Sequence, residues 1–118
     1  MSGSYCASLF AGYGADVIKI EPPCHGDMSR KVGPFLNDIP HPEASGLYIH
    51  LNGNKRGITL DITSNTGAIL FKELIVHTDL IVETFKPGYL ESLGIGYEHL
   101  SEINPSLTHT SITPFGQT

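Results

Sequence analysis

The spacing of apolar residues changes several times along this chain, and each change predicts the boundary of an element. Within residues 3–14, Cys6, Leu9, Phe10 and Tyr13 recur at helical spacing, and Gly12 and Gly14 suit a helix stop. The reading is a short amphipathic helix with those four residues on its apolar face. The run Val17-Ile18-Lys19-Ile20 is then mostly β-branched, and Glu21 with Pro22-Pro23 closes it, which predicts a buried strand. Between residues 22 and 46, Pro22, Pro23, Pro34, Pro40 and Pro42 leave room for little regular structure. A loop of that length inside a compact unit usually serves function.

Regular patterning returns at residues 47–51, which pattern alone permits as helix or strand, before the turn-rich Asn52-Gly53-Asn54-Lys55-Arg56-Gly57. Ile58-Thr59-Leu60-Asp61 predicts a strand. Thr63 or Ser64 is placed to cap the next helix, whose Ala68, Phe71, Leu74 and Ile75 make one apolar face that runs up to His77. Leu80-Ile81-Val82 predicts a third strand, Phe85-Lys86-Pro87-Gly88 a turn, and residues 89–93 and 97–103 two short helices. Pro105 stops the second of these before a last strand over residues 107–112. Alternation of this kind predicts an α/β fold, a parallel sheet with flanking helices.

With 118 residues and 40% hydrophobic content, the chain suits one domain with a real core. It opens on a helix with no strand to feed it, and Pro114-Phe115-Gly116-Gln117-Thr118 follows directly on a strand. Doubly wound domains normally begin on a central strand, so the expectation is an incomplete fold that lacks a first strand and a C-terminal part. A formal charge of −5, from 7 Lys+Arg against 12 Asp+Glu, argues against a nucleic-acid surface, so any anionic ligand must be held locally. No run reaches the roughly 18 apolar residues of a membrane span, and no signal-peptide pattern opens the chain, which predicts a soluble cytoplasmic protein without a membrane partner. Cys6 and Cys24 then read as reduced thiols.

Four ordered segments carry a resemblance: GADVIKIEPPCHGDMSR at 14–30, LNGNKRGITLDI at 51–62, DLIVETFKPGYLESLGIGYEHL at 79–100 and NPSLTHTSITPFGQT at 104–118. In order and spacing they are similar to the family III CoA-transferases, the carnitine-dehydratase and bile-acid-inducible-protein-F group, over nearly the whole chain. The resemblance implies that residues 1–118 are part of an N-terminal Rossmann-like, CoA-binding domain, and that residues 47–51 are helical. It also implies an interlocked homodimer for the full-length protein. Coenzyme A or acyl-CoA is then a substrate, not a tightly bound cofactor, and a small carboxylic acid is the other reactant.

In such transferases a carboxylate attacks the acyl-CoA thioester, and the resulting mixed anhydride is reopened by CoA to an enzyme thioester that passes CoA to a second acid. The family's nucleophilic aspartate lies beyond the GFGQTGP-like segment, so no residue here corresponds to it. The carboxylates present have ordinary readings: Glu21, Asp61 and Glu83 end strands, Asp79 precedes one, and Glu73, Glu91, Glu98 and Glu102 lie on helix faces. No catalytic residue is therefore assigned. A CoA site needs backbone N–H groups, local Lys or Arg, and an apolar ledge for adenine. The resemblance places Leu60, Asp61, Ile62 and Thr63, together with Thr84, Phe85 and Lys86, beside CoA, with Phe85 as the ledge and Lys86 as a charge. Lys55-Arg56 is the best basic pair, against the plainer reading of a solvated turn before a strand. For Phe85 the plain reading is core packing, and for Lys86 a surface turn.

Departures from the family pattern remove donors: Thr84 stands where many members have Asn, Pro22 where several have Arg, and Ser92 at a position basic in some. Arg30 and Lys31, in the long loop, read first as solubilising charges and second as compensation for that loss. The six histidines, His25, His41, His50, His77, His99 and His109, lack paired ligand spacing, so no metal site is expected. Gly12 and Gly14 sit at the wrong end of their helix for a nicotinamide-dinucleotide turn. Two alternatives to a CoA-transferase remain: an α-methylacyl-CoA racemase of the same family, and a catalytically inactive fragment.

Overall fold

A computed structural model describes residues 1–117; Thr118, the last residue of the GFGQT-like turn, lies outside the described residues. The chain divides into two compact units, Met1–Leu60 and Asp61–Thr118. Each carries its own two-stranded parallel sheet. Parallel pairing and flanking helices are as the alternation of patterns predicts, whereas the strands pair two by two instead of in one ladder.

In the first unit, α1 (Ser2–Gly12) precedes β1 (Val17–Glu21), and α2 (Gly46–Asn52) precedes β2 (Lys55–Thr59). Val17 lies opposite Lys55 and Glu21 opposite Thr59, and Leu60 prolongs the ladder by donating its N–H to the Glu21 carbonyl at 3.0 Å. The expected strand at 58–61 is thus displaced toward the N-terminus, because Lys55 and Arg56 pair with Val17 and Ile18. Residues 47–51 are helical, started by Ser45, whose hydroxyl accepts the Tyr48 N–H at 3.1 Å. The proline-rich loop holds two short 3-10 turns, at Met28–Lys31 and Leu36–Asp38, and an isolated antiparallel bridge between Phe35 and Ser45.

The face expected for α1 is corrected. Leu9, Phe10 and Tyr13 are exposed and Ala11 is buried. The inward side is small and polar because it receives two ammonium groups: Lys19 Nζ meets Ser4 Oγ at 2.8 Å and Lys55 Nζ meets the Ser4 carbonyl at 2.7 Å.

The second unit runs α3 (Asn65–Ile75), β3 (Leu80–Glu83), α4 (Tyr89–Ser92), α5 (Tyr97–Ile103) and β4 (Thr108–Ser111). β3 and β4 pair from Leu80 opposite Thr108 to Glu83 opposite Ser111. Its core is apolar: Phe71, Ile75, Leu90, Ile95, Leu100 and Leu107 are all buried. Asn104 ties the end of α5 to that of α3, its amide donating to the carbonyls of Ile75 at 3.0 Å and Thr78 at 2.8 Å. These acceptors lie at the C-terminal end of α3, where backbone carbonyls lack helical partners.

Entry into α3 is the tightest point of this unit. Ser64 caps the helix by accepting the Gly67 N–H at 3.0 Å and donates to the Asp61 carbonyl at 2.9 Å. That carbonyl packs so closely on Gly67 that a Cβ there would stand 1.7 Å from its oxygen. Gly67→Ala is therefore expected to destabilise the chain by about 3 kcal/mol or more, read as a lowered urea midpoint with an unchanged slope. Ala68→Gly, at a position without that contact, should cost about 1 kcal/mol through helix propensity alone.

Candidate functional site

Two places in the fold hold the candidate residues, one in each unit. In the first unit β1 and β2 run parallel, so Glu21, Thr59 and Leu60 gather at one end of the ladder and Lys55 and Arg56 lie at the other. Ligands of open α/β sheets bind outside the carboxyl ends of the strands, which is the Leu60 end. Lys55 is turned inward, where its ammonium donates to the carbonyls of Ser4 and Leu51, both at 2.7 Å, and to Asn52 Oδ1 at 3.0 Å. Burial, reinforced by the nearby charge of Lys19, brings its pKa down to about 8. Arg56 is on the surface and forms a two-point pair with Asp16 at 2.9 and 2.5 Å.

At the carboxyl end of β1 stands an ionic cluster around Glu21, expected simply to end its strand, and Arg30, expected as a solubilising loop charge. Glu21 is only 7% exposed. Arg30 grips its carboxylate in a fork, Nε to Oε2 at 2.8 Å and Nη2 to Oε1 at 2.9 Å. The Tyr48 hydroxyl donates to Oε1 at 2.6 Å and the Asp27 N–H to Oε2 at 2.7 Å. The Arg30 guanidinium also lies 3.7 Å from the centre of the Tyr48 ring and reaches Glu43 at 2.8 Å. Arg30 is thus a structural clamp between β1, the loop and α2, which corrects its reading as a solubilising charge; Lys31 is exposed.

The electrostatics follow from these contacts. Hydrogen bonding from Arg30 outweighs burial and, with Tyr48 and the Asp27 amide, lowers the Glu21 pKa to about 2. Burial opposes ionisation of Asp27, but the Lys19 ammonium and the Ser29 hydroxyl and amide overcome it and hold that carboxyl below the usual range. Burial and the Glu21 carboxylate push the Tyr48 phenol up to about 12. Beside this cluster lies an open cleft of about 280 Å³ whose lining includes Glu21, Pro22, Cys24, Arg30 and Thr59.

In the second unit Asp61, Ile62 and Thr63 form the turn into α3, and Thr84, Phe85 and Lys86 the turn out of β3, at the carboxyl end of that strand. Asp61 Oδ1 accepts both the Thr63 N–H at 3.0 Å and the Thr63 hydroxyl at 2.6 Å, bonds that lower the Asp61 pKa. Phe85 is 42% exposed, which corrects core packing as its plain reading, and its ring lies 4.9 Å from that of Tyr89. Thr84 and Lys86 are exposed. Exposed aromatic and cationic groups on a turn anchored by a strand can offer an adenine a stacking face and a phosphate a charge. Among the described residues no group of three or more possible ligands is placed to hold a metal, and no helix is long and apolar enough to cross a membrane.

The fold defines a class: parallel α/β units whose candidate turns leave the carboxyl ends of strands. The sequence pattern of CoA-transferase family III matches residues 1–118, and the chain belongs to that family. It is 47% identical over 116 residues to the succinyl-CoA:(R)-benzylsuccinate CoA-transferase subunit BbsE of Thauera aromatica, covering 98% of this chain and 28% of that one. It is 44% identical over 116 residues to the formyl-CoA:oxalate CoA-transferase of Afipia carboxidovorans, covering 98% of this chain and 26% of that one. Among solved structures, a CAIB/BAIF family protein from Brucella suis matches with a TM-score of 0.85 at 36% identity, over 98% of this chain and 30% of that one. The chain thus spans less than a third of the length of these relatives.

The clamp makes stability depend on acid. The Glu21 carboxyl titrates lower in the folded chain than in the unfolded one, so its contribution is complete above about pH 4.5 and is lost as pH falls toward 2. Acid titration followed by circular dichroism should show a loss on the order of 3 kcal/mol across that window, reduced in Glu21→Gln. Arg30→Leu leaves the buried carboxylate without its main partner and should cost about 3–5 kcal/mol at pH 7, read by thermal melting.

Proposed function

We propose that this chain is the N-terminal CoA-binding part of an acyl-CoA:carboxylate CoA-transferase. The observation that carries the reading is the family match across all of residues 1–118, together with transferase names on the relatives. Those names pair a CoA thioester with a carboxylic acid, and the same two reactant classes are proposed here. They favour CoA transfer over proton movement of the racemase kind.

In this reading Leu60, Asp61, Ile62 and Thr63, with Thr84, Phe85 and Lys86, face CoA. Phe85 carries the adenine and Lys86 a phosphate, while backbone N–H groups of the turns supply further donors. Lys55 and Arg56 enter the site only indirectly, as the anchor of β2, since their donors already meet Ser4, Leu51, Asn52 and Asp16. An aspartate outside these residues attacks the thioester carbon and expels CoA as thiolate. The thiolate then attacks the aspartyl carbonyl of the anhydride, releases the donor acid and leaves an aspartyl thioester that gives CoA to the acceptor acid. Cytoplasmic location and an interlocked homodimer belong to the same proposal.

Ligand-linked stability tests the nucleotide site directly. A ligand that binds the folded chain alone stabilises it by about 2.7 kcal/mol at a hundredfold excess over Kd. CoA should raise the melting temperature, and dephospho-CoA should raise it less. Phe85→Ala and Lys86→Ala should each weaken CoA about tenfold, the loss of one stacking face or one charge contact of about 1.4 kcal/mol. No shift at millimolar CoA would overturn the binding reading. Acyl transfer to a carboxylic acid by residues 1–118 alone is expected to be absent, and its detection by CoA-ester chromatography would overturn the placement of the nucleophile.

A further inference from the structure

The sheet of the second unit carries a polar pair on the face that also bears Ile81. Ile81 lies opposite His109 and Glu83 opposite Ser111, so His109 and Glu83 are diagonal neighbours on one face of the ladder. Their side chains are only 9% and 8% exposed. Glu83 uses one oxygen, Oε2, to accept the Phe85 N–H at 2.5 Å. Its other oxygen, Oε1, stands 3.7 Å from His109 Nε2. That nitrogen is buried and has no hydrogen-bond partner among the described residues. Buried polar atoms are almost always satisfied, so this one calls for a state in which it is.

We propose that His109 and Glu83 are positioning residues for the turn out of β3: His109 holds the Glu83 carboxylate, which in turn holds the Phe85 amide and so sets the Phe85-Lys86 segment. Its bearing on CoA rests on the reading given under Proposed function.

The chemistry of the two side chains supplies the missing state. Neutral imidazole has one N–H, and with that hydrogen on Nδ1 the Nε2 lone pair faces a carboxylate. Imidazolium donates from both nitrogens. Nε2 then gives Glu83 Oε1 a charge-assisted bond after an approach of less than about 1 Å, while Oε2 keeps the Phe85 N–H. Three elements place groups around His109. Glu83 meets it from β3, Glu91 of α4 lines with it an open cleft of about 460 Å³, and the uncharged Tyr97 ring from α5 lies 6.1 Å away. Imidazoles as a class change charge between about pH 5 and 8, so the turn should be held more firmly at the acidic end of that range.

Backbone amide chemical shifts of the ligand-free chain, followed by NMR between pH 5 and 8, test this without CoA. The Phe85 amide is expected to titrate with the same midpoint as the His109 ring, and to become flat in His109→Gln and in Glu83→Gln. His77→Gln, at an exposed imidazole beyond α3, should leave the Phe85 curve intact. A Phe85 amide that does not respond to pH in the unmodified chain, or that responds equally in His109→Gln, would overturn the proposal even if one variant folds poorly. A second arm measures Kd for CoA in parent and His109→Gln at each pH. The His109→Gln value divided by the parent value should rise three- to tenfold from pH 8 to pH 5.5, and a ratio constant with pH would remove the link to ligand. If CoA does not bind at all while Phe85 still follows His109, the CoA reading falls and the positioning role stands.

Discussion

A carboxylate kept ionised inside the protein is the constraint around which the first unit is arranged. Glu21 ends β1 almost fully buried, and an isolated charge there would cost several kcal/mol. Arg30, Tyr48 and the Asp27 amide remove that penalty together, the first and last from one turn of the loop and Tyr48 from α2. The proline-rich loop is therefore fixed where few apolar contacts could fix it: among the described residues, Ala11 and Leu51 are the buried hydrophobic ones of this unit. Ser45 completes the arrangement, fully buried, its hydroxyl reaching the carbonyls of Ser29 and Val32 at 2.7 and 2.6 Å. Net stabilisation by such a pair is modest; what it enforces is that neither partner can move alone.

The second unit reaches order by the opposite route. Among the described residues its six buried apolar side chains form an ordinary core, and polar bonds tie the ends of elements, Ser64 and Asp61 before α3 and Asn104 after α5. Rigid strands with exposed turns at their carboxyl ends suit recognition, because the scaffold sets the turn while its side chains remain free. The exposed turn from Thr84 to Lys86 is of that kind. Lys55 is not, since a lysine directed into carbonyl groups serves the scaffold.

Much of this was legible in the sequence wherever periodicity and chemistry agreed. β1, β3, α5 and β4 follow from short β-branched runs and a proline stop, and of the two caps expected for α3, Thr63 or Ser64, it is Ser64 that caps. Four family-like segments correctly identified the family. What failed had a common cause: a role set by partners far along the chain. Arg30 in a loop among prolines has the local appearance of a solvated charge, and only the approach of β1 and α2 turns it into a clamp. The inward face of α1 is polar because Lys19 and Lys55 arrive there, so helical spacing of Leu9, Phe10 and Tyr13 pointed to the wrong side. His109 and Glu83 become neighbours only through strand register, which no window of sequence contains.

The two ladders join segments widely separated in sequence, Val17 with Lys55 and Leu80 with Thr108. Closing such loops is entropically costly before any contact rewards it, so parallel pairing of this sort is slow. Local elements form first on these grounds: α3 with its serine cap, and the tight turns around Met28 and Tyr89. The order of events then favours a chain in which the loop charges meet before the strands do. In the first unit the Glu21 and Arg30 contact spans a much shorter stretch than the ladder it adjoins. An ion pair that steadies the finished fold is thus also placed to shorten the search that builds it.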